Sequence, residues 1–208
     1  MKIDIETLIC QLQGIAQTGE HYSKDIYDIE RYQQLKKITH KLIKELSNES
    51  DKKISLLLNS DTGYATPKVD IRAVVFNKDG NLLMVKEKSD NSWALPGGWA
   101  DIGYSPGEVA MKEVNEEAGI NVKAKQIIAI YDKAKRKYPR ALEYVYKIFI
   151  ECEYISGEIS TGVETSDVDY FSKEELDKMK ISIARNSVED LYMIFGYYKN
   201  PDMKTLFD

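Results

Sequence analysis

The chain has 208 residues, 43% hydrophobic and 30% charged, with a net charge of −5. That length can bury a full core and allows one large domain, or one domain with an appendage. No apolar run nears the ~18 residues needed to span a bilayer, and with only two histidines, His21 and His40, a histidine zinc site or a Ser-His-Asp triad is disfavoured.

The N-terminus begins with acids at Asp4 and Glu6, where a secretory leader would carry a basic and then apolar run. We expect a soluble, cytoplasmic protein. Ile5, Leu8, Ile9, Leu12, Ile15 and Ala16 recur at helical spacing, with Gly19 as the expected stop. Cys10 and Cys152 lie far apart without metal-ligand spacing, and are read as reduced, buried thiols. A second amphipathic helix is expected over about 28–46, with Tyr32, Leu35, Ile38, Leu42 and Leu46 on one face. Two helices with one apolar stripe each make little core alone, so they should pack on the rest of the chain or on a second subunit.

A polar stretch at about 48–66, with Asn59, Ser60, Asp61 and Gly63, reads as a linker. We therefore expect an N-terminal helical domain over 1–66 and a catalytic domain over 67–208. The first 68 residues carry ten basic and ten acidic side chains, so the five excess acids fall in the second part. An acidic catalytic part without a Lys/Arg stripe argues against nucleic acid as the main partner.

Residues 71–76 read as a strand, 77–81 as a turn and 82–85 as a returning strand. Further strands are expected at 127–131 and 145–152, the second covered on both faces. A last helix is expected from about 187 to 199, closed by Asn200-Pro201.

The segment carrying chemistry runs from Gly97 to Ile120. Ser105 suits an N-cap, Pro106 the first helical position, Glu108 completes a capping box and Gly119 ends the helix. At ~100° per residue, Glu113, Glu116 and Glu117 share one arc, while Ala110, Val114 and Ala118 form an adjacent face suited to packing on a sheet. Three carboxylates on one arc repel. They are either a solvated acidic face or a site for a hard cation such as Mg²⁺ or Mn²⁺, which takes several oxygen ligands. The preceding Leu95-Pro96-Gly97-Gly98 lets backbone come close to a ligand or metal.

This segment resembles the Nudix box. Gly98, Glu113, Val114, Glu116, Glu117, Gly119 and Ile120 match its pattern in register, whereas Tyr104 stands where the first Glu belongs and Lys112 where Arg belongs. The resemblance implies an α/β fold, a mixed-sheet α/β/α sandwich, and hydrolysis of a diphosphate by metal-activated water. It implies Glu116 and Glu117 as metal ligands, Glu113 as ligand or base, and a carbonyl of Gly97 or Gly98 completing the shell.

By the same resemblance a further Glu from a late loop would act as base or ligand. Glu164 is our candidate, with an ordinary solvated loop residue as the alternative. Arg72, on the first core strand, either clamps phosphates or sits in a buried ion pair. Tyr131 and Tyr144 are candidates for stacking on a base, or simply cover the sheet.

A narrower resemblance covers nearly the whole chain. Ala16-Gln17-Thr18-Gly19, Tyr22-Ser23-Lys24-Asp25, Thr66-Pro67-Lys68-Val69-Asp70, Trp93-Ala94-Leu95-Pro96 and Tyr144-Val145-Tyr146-Lys147 are similar to Bacillus-type Nudix enzymes described as CDP-choline or ADP-ribose pyrophosphatases. It implies a homodimer and a nucleoside diphosphate linked to another group as substrate, with CDP-choline slightly ahead of ADP-ribose. Tyr104 and Lys112 are common in that subgroup. The competing readings are a non-catalytic sensor of a nucleotide metabolite and RNA end processing as a side activity.

Overall fold

The computed structural model describes residues 5–46, 54, 63–139, 141 and 143–208. Most of the expected linker over about 48–66 lies outside the described residues, which omit 47–53 and 55–62 as well as residues 1–4. The chain divides into two compact units, one of residues 1–67 with 140–144, the other of 68–139 with 145–208.

In the first unit, helix α1 (Ile5–Tyr22) and helix α2 (Ile26–Leu46) pair. Gly19 does not stop α1, which runs three residues further. Its missing side chain serves packing instead, because a Cβ there would lie 2.3 Å from the Tyr32 ring of α2. Thr39 donates to Gln13 Oε1 at 2.6 Å, and Lys36 pairs with Glu20 at 2.9 Å. Ile54, from the stretch read as a linker, is buried with Ile9 and Ile43 and adds core to this unit. A second stripe stays open: Ile5, Leu8, Leu12 and Ile15 on α1, and Ile38, Leu42 and Leu46 on α2, are all more than a third exposed.

The second unit holds two sheets. The mixed sheet runs β1 (Lys68–Val74), β5 (Val145–Ser156), β4 (Asn121–Asp132) and β7 (Leu206–Phe207), with β1 parallel to β5 and β4 antiparallel to it. The smaller antiparallel sheet runs β3 (Trp93–Ala94), β2 (Leu82–Glu87) and β6 (Thr165–Phe171). The expected hairpin is therefore only local. Asn77 and Asn81 close its turn and Phe76 bridges Leu82, after which the two arms diverge into different sheets.

Alternation along these strands builds two cores. Ile71, Ala73, Val75, Leu83 and Val85 pack with Val109, Ala110, Val114 and Ala118 of helix α3 (Pro106–Ala118). Val74, Leu82, Met84 and Phe149 pack with Leu191, Ile194 and Phe195 of helix α4 (Val188–Lys199). Each fully buried aliphatic side chain contributes about 1.5–3 kcal/mol. The result is the α/β/α sandwich expected, with α3 on one side and α4 on the other. Buried Tyr131 lies against Phe149 and under the Arg136 guanidinium at 3.6 Å, so it covers the sheet and offers no open face to a base; Tyr144 is half-buried.

Candidate active site

Helix α3 begins and ends as its sequence dictates. Ser105 accepts from Glu108 N–H, Glu108 accepts from Ser105 N–H at 2.7 Å, and Gly119 takes the left-handed conformation with φ 74°. These ends fix which residues face the sheet, and thereby the depth of each carboxylate. Glu117 is buried, Glu113 half-buried and Glu116 open to solvent.

The loop before α3 lies along β1: Ile71 N–H donates to Gly98, Ala73 N–H to Pro96 and Ala100 N–H to Val69. Gly97 has φ 149°, and a Cβ there would meet the Ile71 carbonyl at 2.0 Å. A Cβ on Gly98 would lie 3.0 Å from Glu113 Oε1. The loop is glycine because the β1 backbone sits against Gly97 and the Glu113 carboxylate against Gly98. Gly97 N–H donates to Glu117 Oε2 at 3.0 Å, tying the loop to the helix. The Gly98 carbonyl is used by Ile71, whereas no described backbone bond uses the Gly97 carbonyl.

Burial raises the carboxyl of Glu117 to about 8, and repulsion from Glu87 and Glu113 adds to it against the Gly97 bond and Arg72. Burial raises Glu113 too, with Glu116 and Glu164 pushing the same way. Five acids thus share one electrostatic neighbourhood, and three of their four helix and strand members, Glu87, Glu113 and Glu117, are buried or half-buried. Hard oxygen donors with excess negative charge suit Mg²⁺-type ions. Among the described residues no three carboxylates yet converge within ligand reach.

Glu164 is exposed in the loop before β6, and Glu87 and Glu113 feel its charge. Lys112 and Tyr104, the two departures from the pattern, lie together: the ammonium is 5.9 Å from the ring centre, 3.3 Å from Glu116 and 3.5 Å from Asp101. Arg72 is buried, its Nε donating to Asp70 at 2.9 Å and its Nη1 to the Leu95 carbonyl at 3.2 Å. Its charge nonetheless reaches Glu117 and Glu87.

Sequence reasoning passed over three features. Glu87 is buried and paired with Arg185 at 2.8 Å. Strand alternation from Leu83 and Val85 puts it on the α3 side, a signal that was there to be read. Lys147, fully buried, contacts Asp70 directly opposite it in the sheet. Buried Asn186 accepts from Leu95 N–H at 2.9 Å, while its Nδ2 has no partner.

A model of the NUDIX domain matches residues 66–191, and one described as a UDP-X-like, N-terminal oligomerisation domain matches residues 4–58. The chain belongs to the Nudix family. Over 198 residues it is 38% identical to YjhB of Bacillus subtilis, provisionally named an ADP-ribose pyrophosphatase, covering 95% of this chain and 94% of that one. The crystal structure of an ADP-ribose pyrophosphatase from Streptococcus suis is 38% identical, with TM-score 0.61, over 69% of this chain and 100% of that one. The structure of a UDP-X diphosphatase is 26% identical over 96% of both chains, with TM-score 0.62. This chain is accordingly a Nudix hydrolase of the pyrophosphatase kind, and Nudix hydrolases generally work with divalent metal ions.

Proposed function

We propose that this Nudix hydrolase splits the diphosphate of a nucleoside diphosphate linked to another group, and that ADP-ribose is its first candidate substrate. Water adds at one phosphorus and the bridging P–O bond breaks, so ADP-ribose gives AMP and ribose 5-phosphate. CDP-choline, which would give CMP and phosphocholine, moves to second place because the two 38%-identical relatives carry the ADP-ribose name.

The carrying observation is the coupled carboxylate group, with Glu117 fixed by the Gly97 N–H beside Glu113. Glu117 is the rigid member. Glu113 and Glu116 are open enough to turn towards an ion, and the Gly97 carbonyl, which no described backbone bond uses, supports Gly97 over Gly98 as the backbone ligand. Mg²⁺ or Mn²⁺ held there would offset charge on the diphosphate and lower the pKa of the attacking water. Glu113 or Glu164 would take the proton. Arg72, gripped by Asp70 and Leu95, is better suited to setting the local field than to folding its side chain around a phosphate.

The helical unit of residues 1–66 would form the homodimer, because Ile5, Leu8, Leu12 and Ile15 make an open apolar stripe that a second copy would cover. Sedimentation showing a monomer near 24 kDa at micromolar concentration would remove this part.

The test of the activity is a product-resolved assay with Mg²⁺ and with Mn²⁺, on ADP-ribose, CDP-choline, nucleoside triphosphates and a short RNA. Turnover of one linked diphosphate, lost in Glu116→Gln, is the expected result. Cleavage of triphosphates alone, or RNA turnover exceeding that of every small diphosphate, would overturn it.

A further inference from the structure

A cavity of about 760 Å³ lies apart from the carboxylates. None of Glu87, Glu113, Glu116, Glu117 or Glu164 lines it. Its size is that of a small-molecule site. Its walls are aromatic: Phe76, Tyr154, Tyr170, Tyr197 and Tyr198 all face it.

Phe76 and Tyr198 form one wall, their ring centres 4.3 Å apart and tilted by 32°. Tyr154 and Tyr198 remain 46% and 42% exposed, leaving ring surface for a planar guest. Lys125, Glu151 and Glu153 also line it, and the first two are already engaged. Tyr197 donates to Glu151 at 2.7 Å, and Lys125 lies 3.7 Å from the same carboxylate. Lys78, on the turn between β1 and β2, lines the cavity, is exposed, and makes no ion pair among the described residues. Stacking faces beside an exposed ammonium that makes no ion pair among the described residues fit a flat base with a single anionic tail.

One side of the cavity is mechanically joined to the active site. Gly157 and Ile159 line it and begin the loop that ends in Glu164. Ser160 N–H donates to the Ala118 carbonyl at 3.0 Å, in the last turn of α3. Gly162 lies so close to α3 that a Cβ would meet the Glu116 carbonyl at 1.9 Å. Thr165 Oγ1 donates to the Glu117 carbonyl at 2.9 Å and accepts from Gly162 N–H at 2.7 Å. A guest pressing on Gly157 and Ile159 therefore bears on the segment that backs Glu116 and Glu117 and carries Glu164.

We propose that this cavity is an effector site for a nucleoside monophosphate, stacked between Tyr154 and Tyr198 with its phosphate on Lys78, and that occupancy changes turnover through the Gly157–Glu164 loop. Two variants remote from that loop, Tyr198→Ala and Lys78→Ala, remove the stacking face and the cation without touching the carboxylates.

AMP and CMP serve as probes. Equilibrium dialysis on the full chain should find one more molecule bound per chain in the wild type than in Tyr198→Ala. Binding does not require turnover, so this arm stands whether or not the proposed substrate is correct. With the chain's substrate at saturation, where competition at the active site vanishes, the probe should change kcat by about five-fold or more. Both variants should keep the basal kcat and lose that response. Equal binding by the wild type and Tyr198→Ala, or inhibition that disappears at saturating substrate, would overturn the proposal. So would a response unchanged in both variants.

Discussion

Two buried charged groups flank the Gly97–Gly98 loop, and they are compensated in opposite ways. On the α3 side, Glu87, Glu113 and Glu117 repel one another, with Arg185 as the only cation paired with Glu87 among the described residues. On the β1–β5 side, two cations, Arg72 and Lys147, share the single carboxylate of Asp70. Burial and the Arg72 charge lower Lys147 to about 8, against which Asp70 pulls only in part. Asp70 itself is held below the usual carboxylate range, because its two cations outweigh its own burial. One cluster lacks positive charge and the other has more than it needs. The acidic one faces outward through Glu113 and Glu116, where an ion can enter; the basic one is sealed. A buried imbalance that opens to solvent is a place for a ligand, whereas a sealed one sets the field around it.

The largest effect should come from removing the one anion of the sealed cluster. Asp70→Asn leaves two buried cations without a counter-charge and should cost about 3–5 kcal/mol of stability. Urea denaturation measures it, and a loss below 1 kcal/mol would show that the cluster is not electrostatically strained. The matching change on the acidic side should act on chemistry instead. Glu117→Gln should lower kcat/KM by about 10²–10³-fold, the several kcal/mol of charge stabilisation that a held metal supplies at 1.36 kcal/mol per decade. The same variant should melt no lower than the wild type without metal, since it deletes a buried and repelled carboxylate. Thermal melts in a chelator read that half, and a large drop in Tm would place Glu117 among structural ion pairs.

Lys147→Met sharpens the comparison further. A folded amine near 8 and an unfolded one near 10.5 mean that the unfolded chain holds more protons between those values. Stability contributed by this group should therefore rise as pH increases from about 8 towards 10.5, and is flat below 8. Met keeps the volume and removes the titration, so the variant should be at least as stable at pH 7 and lose that rise. Melts across pH 7–10 compare the two slopes; parallel slopes would mean that Lys147 titrates normally.

What was legible in the sequence follows the range of the forces involved. The caps of α3, its length and its sheet-facing residues are local chemistry, and the structure places them residue for residue. The alternation of 71–76 and 82–85 correctly named buried strands, but which sheet each joins depends on partners, β5 and β6, more than 70 residues away. Gly19 misled for a similar reason: a helix stop and a close helix crossing leave the same residue in a sequence, and only Tyr32 of α2 decides between them. Arg72 was visible as a charge on a core strand. That it shares Asp70 with Lys147 required the parallel register of β1 on β5. Glu87 is placed by strand alternation alone, since it shares the parity of Leu83 and Val85.

The smallest effect tests whether the acidic cluster depends on its own helix start. Ser105 caps α3 two turns before Glu113, and both Ser105 and its partner Glu108 are exposed. Ser105→Ala should cost about 1 kcal/mol of stability through the lost N-terminal bond. Turnover should change by less than about two-fold, because the sheet-facing Val109, Ala110, Val114 and Ala118 hold the helix in place without the cap. Urea melts and steady-state kinetics on one preparation measure both numbers. If turnover fell as far as in Glu117→Gln, the carboxylates would be positioned by the helix end rather than by the core. The contrast between an open acidic cluster and a sealed basic one would then reflect fraying of α3 and not charge.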